Sequence, residues 1–247
     1  MKTLLLAFQF LTRIPLPATG QLEPKDLGRC SAWFPLVGGF LGLLLVLVNF
    51  LVGRYLDHQV TAVLLVIILT ALTGGLHLDG LMDSVDGLMG GRNQAQALDI
   101  MRDSRVGALG AIAGCLVILL KWAALFSLLS QAHSPWFYDL ILFPIAGRWA
   151  MTGMACFMRP ARHDGLGSAF ADGADVPQFL VATLIAVGLV WFAGSWRGLY
   201  SLAAAGFAAI LFSLWIKRRL GGMTGDTCGA INEFGEATAL LLLLIIK

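Results

Sequence analysis

Long apolar stretches alternate with short polar ones along the whole chain. Runs near residues 33–53, 59–76, 107–130, 136–158, 178–195, 198–216 and 228–246 are almost wholly hydrophobic. Most approach or exceed the roughly 18–20 residues that a helix needs to cross a bilayer. The pattern therefore predicts about seven transmembrane helices. Ahead of them, "MKTLLLAFQFLTRIPLP" has a short apolar core interrupted by Thr12 and Arg13, with no clear small-residue cleavage pattern after it. An uncleaved interfacial or partly inserted helix is expected there, ended by Pro15 and Pro17.

Composition agrees with the pattern. The chain is 58% hydrophobic and 13% charged, with a mean hydropathy of +0.81, outside the usual soluble range. The expected fold class is all-α, a polytopic helical integral membrane protein forming a single domain over residues 1–247. No linker, second soluble domain or internal repeat is visible. The four cysteines form neither a close pair nor a zinc pattern, and neither a P-loop nor a dinucleotide fingerprint occurs. No nucleic-acid partner is expected.

The net charge of +2 hides an asymmetry. Lys2, Arg13, Lys25, Arg29, Arg92, Arg102, Arg105, Arg159, Arg162, Lys217, Arg218 and Arg219 fall on one side of the predicted spans. The other side has only Arg54, Arg197 and Lys247. The positive-inside rule places the richer side in the cytoplasm. The same side holds most of the acids, and three of them are regularly spaced. In "HLDGLMDSVDG", Asp79, Asp83 and Asp86 are related by i, i+4 and i+7, so they share one face if span two continues through them as helix. Stacked like charges repel. A divalent cation between them would make the arrangement favourable, and oxygen-only ligands suit magnesium, manganese or calcium. His77 points elsewhere and reads as a structural histidine.

Two further segments carry chemistry. In "IMRDSRVG", Arg102 and Arg105 lie one turn apart around Asp103; guanidinium groups match phosphate oxygens, and Asp103 can complete a metal shell or orient an arginine. In "GGMTGDTCGAINEFGE", Asp226 and Glu233 share a helix face, with Asn232 and Glu236 to either side. Glu233 and Glu236 enter the last span, where a carboxylate needs a partner; Arg148 in span four and Lys121 in span three are the candidates. Two classes fit these features: a transferase acting on a phosphate or diphosphate substrate, and a cation-coupled transporter. A transporter would place its acids near the midplane and show related halves. The main acids here sit at one face, which favours the transferase.

Six segments together resemble the cobalamin synthase (adenosylcobinamide-GDP ribazoletransferase) family: "FLTRIPLP", "FPLVGGFLG", "GGLHLDGLMDSVDG", "IMRDSRVG", "HDGLGSAF" and "GGMTGDTCGA". They cover nearly the whole chain in order. The resemblance implies that adenosylcobinamide-GDP reacts with alpha-ribazole, or its 5'-phosphate, giving adenosylcobalamin or its phosphate and GMP. It implies Mg2+ as cofactor, held by Asp79, Asp83 and Asp86 with Asp103 as a fourth candidate, and one carboxylate taking the ribose hydroxyl proton. Arg102 and Arg105 would bind phosphate oxygens, while Asp226 and Glu233 would contact the acceptor or corrinoid. Arg13 and Arg148 complete the candidate substrate-binding set. The implied setting is the bacterial cytoplasmic membrane with the active site facing the cytoplasm. Membrane lipid and other late cobalamin-biosynthesis enzymes are the candidate partners, with oligomerisation left open.

Overall fold

A computed structural model describes residues 1–131 and 136–246. The described residues form eleven α-helices and no β-strand beyond one isolated bridge. Helix α1 (Lys2–Leu11) is too short to span, since ten residues rise only about 15 Å. It lies against the next segment, where Lys2 pairs with Asp26 at 2.7 Å and Trp33 donates to Thr3 at 3.1 Å. It ends at Leu11, ahead of both prolines.

Helix α2 (Asp26–Arg29) and a 3-10 turn lead into α3 (Phe34–Val52), which has a proline in its first turn. Its glycines make a helix contact. A Cβ at Gly38 would lie 2.5 Å from the Pro144 carbonyl oxygen, and one at Gly42 would lie 2.6 Å from Ile141 Cα. Small residues at this spacing let α3 close tightly on α8 (Trp136–Phe157). Helix α8 is the centre of the bundle, carrying buried Phe143, Ile145, Ala146 and Arg148.

The second apolar run is not one helix. Helix α4 (His58–Thr73) stops at Gly74 and Gly75, which take φ of 64° and 71°, and α5 (Leu76–Gly90) departs at 88° to it. Two adjacent left-handed residues are easily adopted only by glycine. This corrects the continuous helix expected through the aspartates: their i, i+4, i+7 relation belongs to a separate helix. Arg13 is seated on the bend, its N–H donating to the Leu72 carbonyl at 2.7 Å and its side chain packed on Gly74.

Short α6 (Gln94–Ile100) precedes α7 (Ala108–Ser130), and short α9 (Leu166–Ala171) precedes α10 (Val176–Leu220). Ser195 breaks the 45-residue α10, with φ 50° and ψ −127°. Phe179 and Lys217, from its two halves, line one groove, so the halves lie side by side as two passes. Helix α11 (Gly225–Ile245) completes the bundle. Five helices are long and apolar enough to cross a membrane, or six with the bent pair. Counting the halves of α10 separately gives the seven passes expected.

Connections from distant parts of the chain meet at one end. Ala161 donates to the Met223 carbonyl at 2.7 Å, Met223 donates to the Arg159 carbonyl at 2.8 Å, and Arg219 reaches the Leu88 carbonyl at 2.7 Å. At the opposite end Arg197 holds Asp139 at 3.1 Å and the Leu243 carbonyl at 3.0 Å.

Candidate functional site: a carboxylate and arginine face

Helix α5 turns its small and apolar residues, Gly80, Leu81, Ser84, Gly87 and Leu88, into the bundle. Asp79 is left exposed, with Asp83 and Asp86 half-buried. Its crossing with α11 is close: a Cβ at Gly80 would lie 2.7 Å from the Asp226 carbonyl oxygen, and one at Gly229 would lie 3.1 Å from that of His77. This approach brings Asp226 beside the acidic face of α5, so that Asp79, Asp226 and Asp86 all act on the charge of Asp83.

The "TGDT" segment explains how Asp226 is placed. Thr224 caps α11 by accepting from the Thr227 N–H at 3.1 Å, and the Thr227 hydroxyl accepts from the Thr224 N–H at 2.8 Å. This reciprocal cap fixes the first turn, where a carboxylate is favoured by the helix dipole. Arg162 approaches Asp226 Oδ2 at 3.7 Å, but that buried oxygen accepts no hydrogen bond among the described residues. Arg162 also lies 4.0 Å from Asp164, which holds Arg102 through two bonds of 2.8 and 2.7 Å. A line of alternating charge thus runs Arg102, Asp164, Arg162, Asp226. From sequence alone Arg162 reads only as a positive-inside residue; the adjoining "HDGLGSAF" segment is the signal that marks it.

The remaining candidates are engaged elsewhere. Asp86 accepts from the Gly107 and Gly110 N–H groups, each at 2.8 Å, and so caps the start of α7. Asp103 is bound by Arg105 at 2.6 Å, and the guanidinium holds its carboxyl down at about 2. Arg105 is thereby folded back on its own loop. Arg13 lies at the α4–α5 bend. Glu233 belongs to a different cluster, deep in the bundle, where Lys121 donates to it at 2.6 Å and also pairs with Glu236, which Arg148 binds as well. Both candidate partners for the intramembrane acids are therefore used, and Asp226 and Glu233 are separated along α11. His77 is 2% exposed and lies between the two clusters.

Among the described residues, no three of His, Cys, Asp and Glu are placed to hold a metal ion unaided. Magnesium, however, is usually bound through one or two carboxylates with waters and substrate phosphates, not by an all-protein cage. Exposed Asp79, half-buried Asp83 and the unsatisfied Oδ2 of Asp226 offer such a donor set. Asp86 and Asp103 already have other partners.

The fold and this face define a class: a polytopic helical membrane protein whose carboxylates and arginines converge at one membrane end in an arrangement suited to phosphate-bearing ligands. The chain belongs to the family described as Cobalamin-5-phosphate synthase, whose model matches residues 3–244. A relative from Geotalea daltonii is 39% identical over 240 residues, covering 97% of this chain and 96% of the relative. One from Desulfitobacterium hafniense is 38% identical over 244 residues, with 98% and 96% covered. A third, from Roseiflexus sp. (strain RS-1), is 36% identical over 239 residues, with 97% and 88% covered. All three are named adenosylcobinamide-GDP ribazoletransferase. No solved structure matches the chain.

Proposed function

We propose that the chain is an adenosylcobinamide-GDP ribazoletransferase acting at the cytoplasmic face of the bacterial inner membrane. It joins adenosylcobinamide-GDP to alpha-ribazole, or its 5'-phosphate, in assembling the nucleotide loop of cobalamin. A ribose hydroxyl attacks the cobinamide-linked phosphorus, the new P–O bond forms, and the diphosphate P–O bond breaks to release GMP. Besides family membership, the observation that carries the reading is the meeting of Asp79, Asp83 and Asp226 with Arg162 at one end of the bundle.

In this reading Asp79, Asp83 and Asp226 are the residues that would hold magnesium. Held there, magnesium would supply Lewis-acid neutralisation of the charge that develops on the departing GMP. Arg162 and Arg102 bind phosphate oxygens, exchanging their present carboxylate partners for the substrate. Asp79 or Asp83 accepts the hydroxyl proton, since a carboxylate within hydrogen-bond reach of the nucleophile serves as general base. Asp86 positions α5 against α7.

The test is GMP release by purified protein in liposomes given adenosylcobinamide-GDP and alpha-ribazole phosphate, with and without magnesium. Magnesium-dependent GMP release matched by joined corrinoid is expected. Folded protein that forms no joined product at any magnesium concentration would reject the reading.

A further inference from the structure

Three of the segments that stand out in the sequence lie outside the phosphate-binding set described above: "FLTRIPLP", "FPLVGGFLG" and the end of "HDGLGSAF". Each brings a phenylalanine to the same place. Phe10 and Phe170 meet edge to face at 4.8 Å, Phe34 and Phe170 at 5.8 Å, and Phe10 stacks on Phe34 at 6.2 Å. They wall a cavity of about 140 Å³ that reaches Asp79 and Asp226.

The chemistry of the walls restricts what can enter. No lysine or arginine lines the cavity, and its charged groups are the two carboxylates. The interior beyond the two carboxylates offers a diphosphate no cationic partner, and the arginines able to bind one, Arg102 and Arg162, do not line it. The volume excludes a corrin ring. Cavities of roughly 150 Å³ with apolar walls accept a benzene-sized ligand. Guanine would be a poor fit, because its many edge donors and acceptors would face apolar walls. One further polar group lines the cavity: His77, whose buried Nε2 has no hydrogen-bond partner among the described residues. Buried orphans of this kind are uncommon.

We infer that this cavity is the acceptor subsite, taking the six-membered half of the alpha-ribazole benzimidazole against the wall that the packed phenylalanines form, and leaving the ribose hydroxyls at Asp79 and Asp226. The inference rests on the ribazoletransferase reading above. The ring is flat, apolar and neutral, as walls of phenylalanine, methionine and alanine require. Seated this way, the nucleophile emerges at the carboxylates, while any 5'-phosphate points out toward the arginines. Phe10, Phe34 and Phe170 are then specificity-determining residues for the base.

The experiment is steady-state kinetics in liposomes, varying each substrate separately, for wild type, Phe170→Leu and Ala155→Phe. Ala155 lines the cavity, so the larger side chain fills it. Losing aromatic stacking on a base should raise the KM for alpha-ribazole about tenfold, with the KM for adenosylcobinamide-GDP within about twofold of wild type. Ala155→Phe should raise the acceptor KM at least as much and abolish competitive inhibition by free 5,6-dimethylbenzimidazole. An unmoved acceptor KM in Phe170→Leu protein that elutes and unfolds like wild type would overturn the subsite, as would a rise confined to the donor or shared equally by both substrates. Wild-type protein that forms no joined corrinoid would instead reject the underlying reading. Should Ala155→Phe fail to fold, Phe170→Leu alone decides.

Discussion

Asp86 and Asp83 sit three residues apart on one helix, yet the structure gives them opposite work. Asp86 is half-buried and accepts two backbone N–H groups from the start of α7, at Gly107 and Gly110. Hydrogen bonds to an ionised group contribute about 1.5–3 kcal/mol each. Partial exposure reduces the pair to about 2–3 kcal/mol in all. Asp86→Ala should cost that amount. Asp86→Asn keeps one acceptor and turns an NH2 toward the second amide, so it should cost about half as much. Asp83→Asn should do the reverse, relieving crowding from Asp79, Asp226 and Asp86 without loss of stability while turnover collapses. Unfolding by SDS titration in detergent, followed by tryptophan fluorescence, reads stability. Amide hydrogen exchange over residues 107–111 reads the cap directly. An Asp86→Asn protein with wild-type midpoint and wild-type exchange at Gly107 and Gly110 would refute the capping role.

Lys121→Met removes the cation that joins Glu233 to Glu236, leaving Arg148 and Asn232 on Glu236, and should destabilise by about 3–5 kcal/mol, most of it recovered when Glu233→Gln is added; SDS unfolding of single and double variants measures both. Gly80→Val drives a side chain into the Asp226 backbone, so α5 must move off α11; a loss of about 1–3 kcal/mol is expected, with turnover falling further than stability. Arg102 and Asp164 are both exposed, so Arg102→Ala should leave stability within about 0.5 kcal/mol while raising the KM for the diphosphate substrate in the liposome assay. Asp103 titrates at about 2 in the fold, below its ordinary value of 3.8. Its tie to Arg105 is therefore fully present above about pH 4 and is lost as pH falls toward 2, which hydrogen exchange over residues 101–106 should show.

The passes of the bundle were legible because an apolar run of span length has few other uses. The chemistry-bearing segments were legible because carboxylates are rare in such a chain and their spacing survives into α5. What the runs hid were their interruptions. Residues 70–78 remain mostly apolar through Gly74 and Gly75, and "WFAGSW" shows no polar loop where α10 reverses at Ser195. Partner choice was also hidden. Nothing local to Asp86 indicates that Gly107 and Gly110 will claim it, and nothing local to Arg162 indicates Asp226, because both pairings are made by helix packing over long sequence separations. The intramembrane acids were the exception: burial demands partners, and Lys121 and Arg148 were almost the only cations available.

The buried charge cluster has a consequence for biosynthesis. Its two cations belong to α7 and α8, but both carboxylates belong to α11, which follows every other described helix. While the ribosome is still making the later helices, Lys121 and Arg148 are in or entering the bilayer with their counter-ions not yet synthesised. Each such residue at a helix centre costs about 2.5–3.5 kcal/mol on the insertion scale. The arrival of the final helix therefore neutralises the interior and delivers Asp226 to α5 in one event. A chain cut short before that event would leave Lys121 and Arg148 in the bilayer without the carboxylates that pair with them.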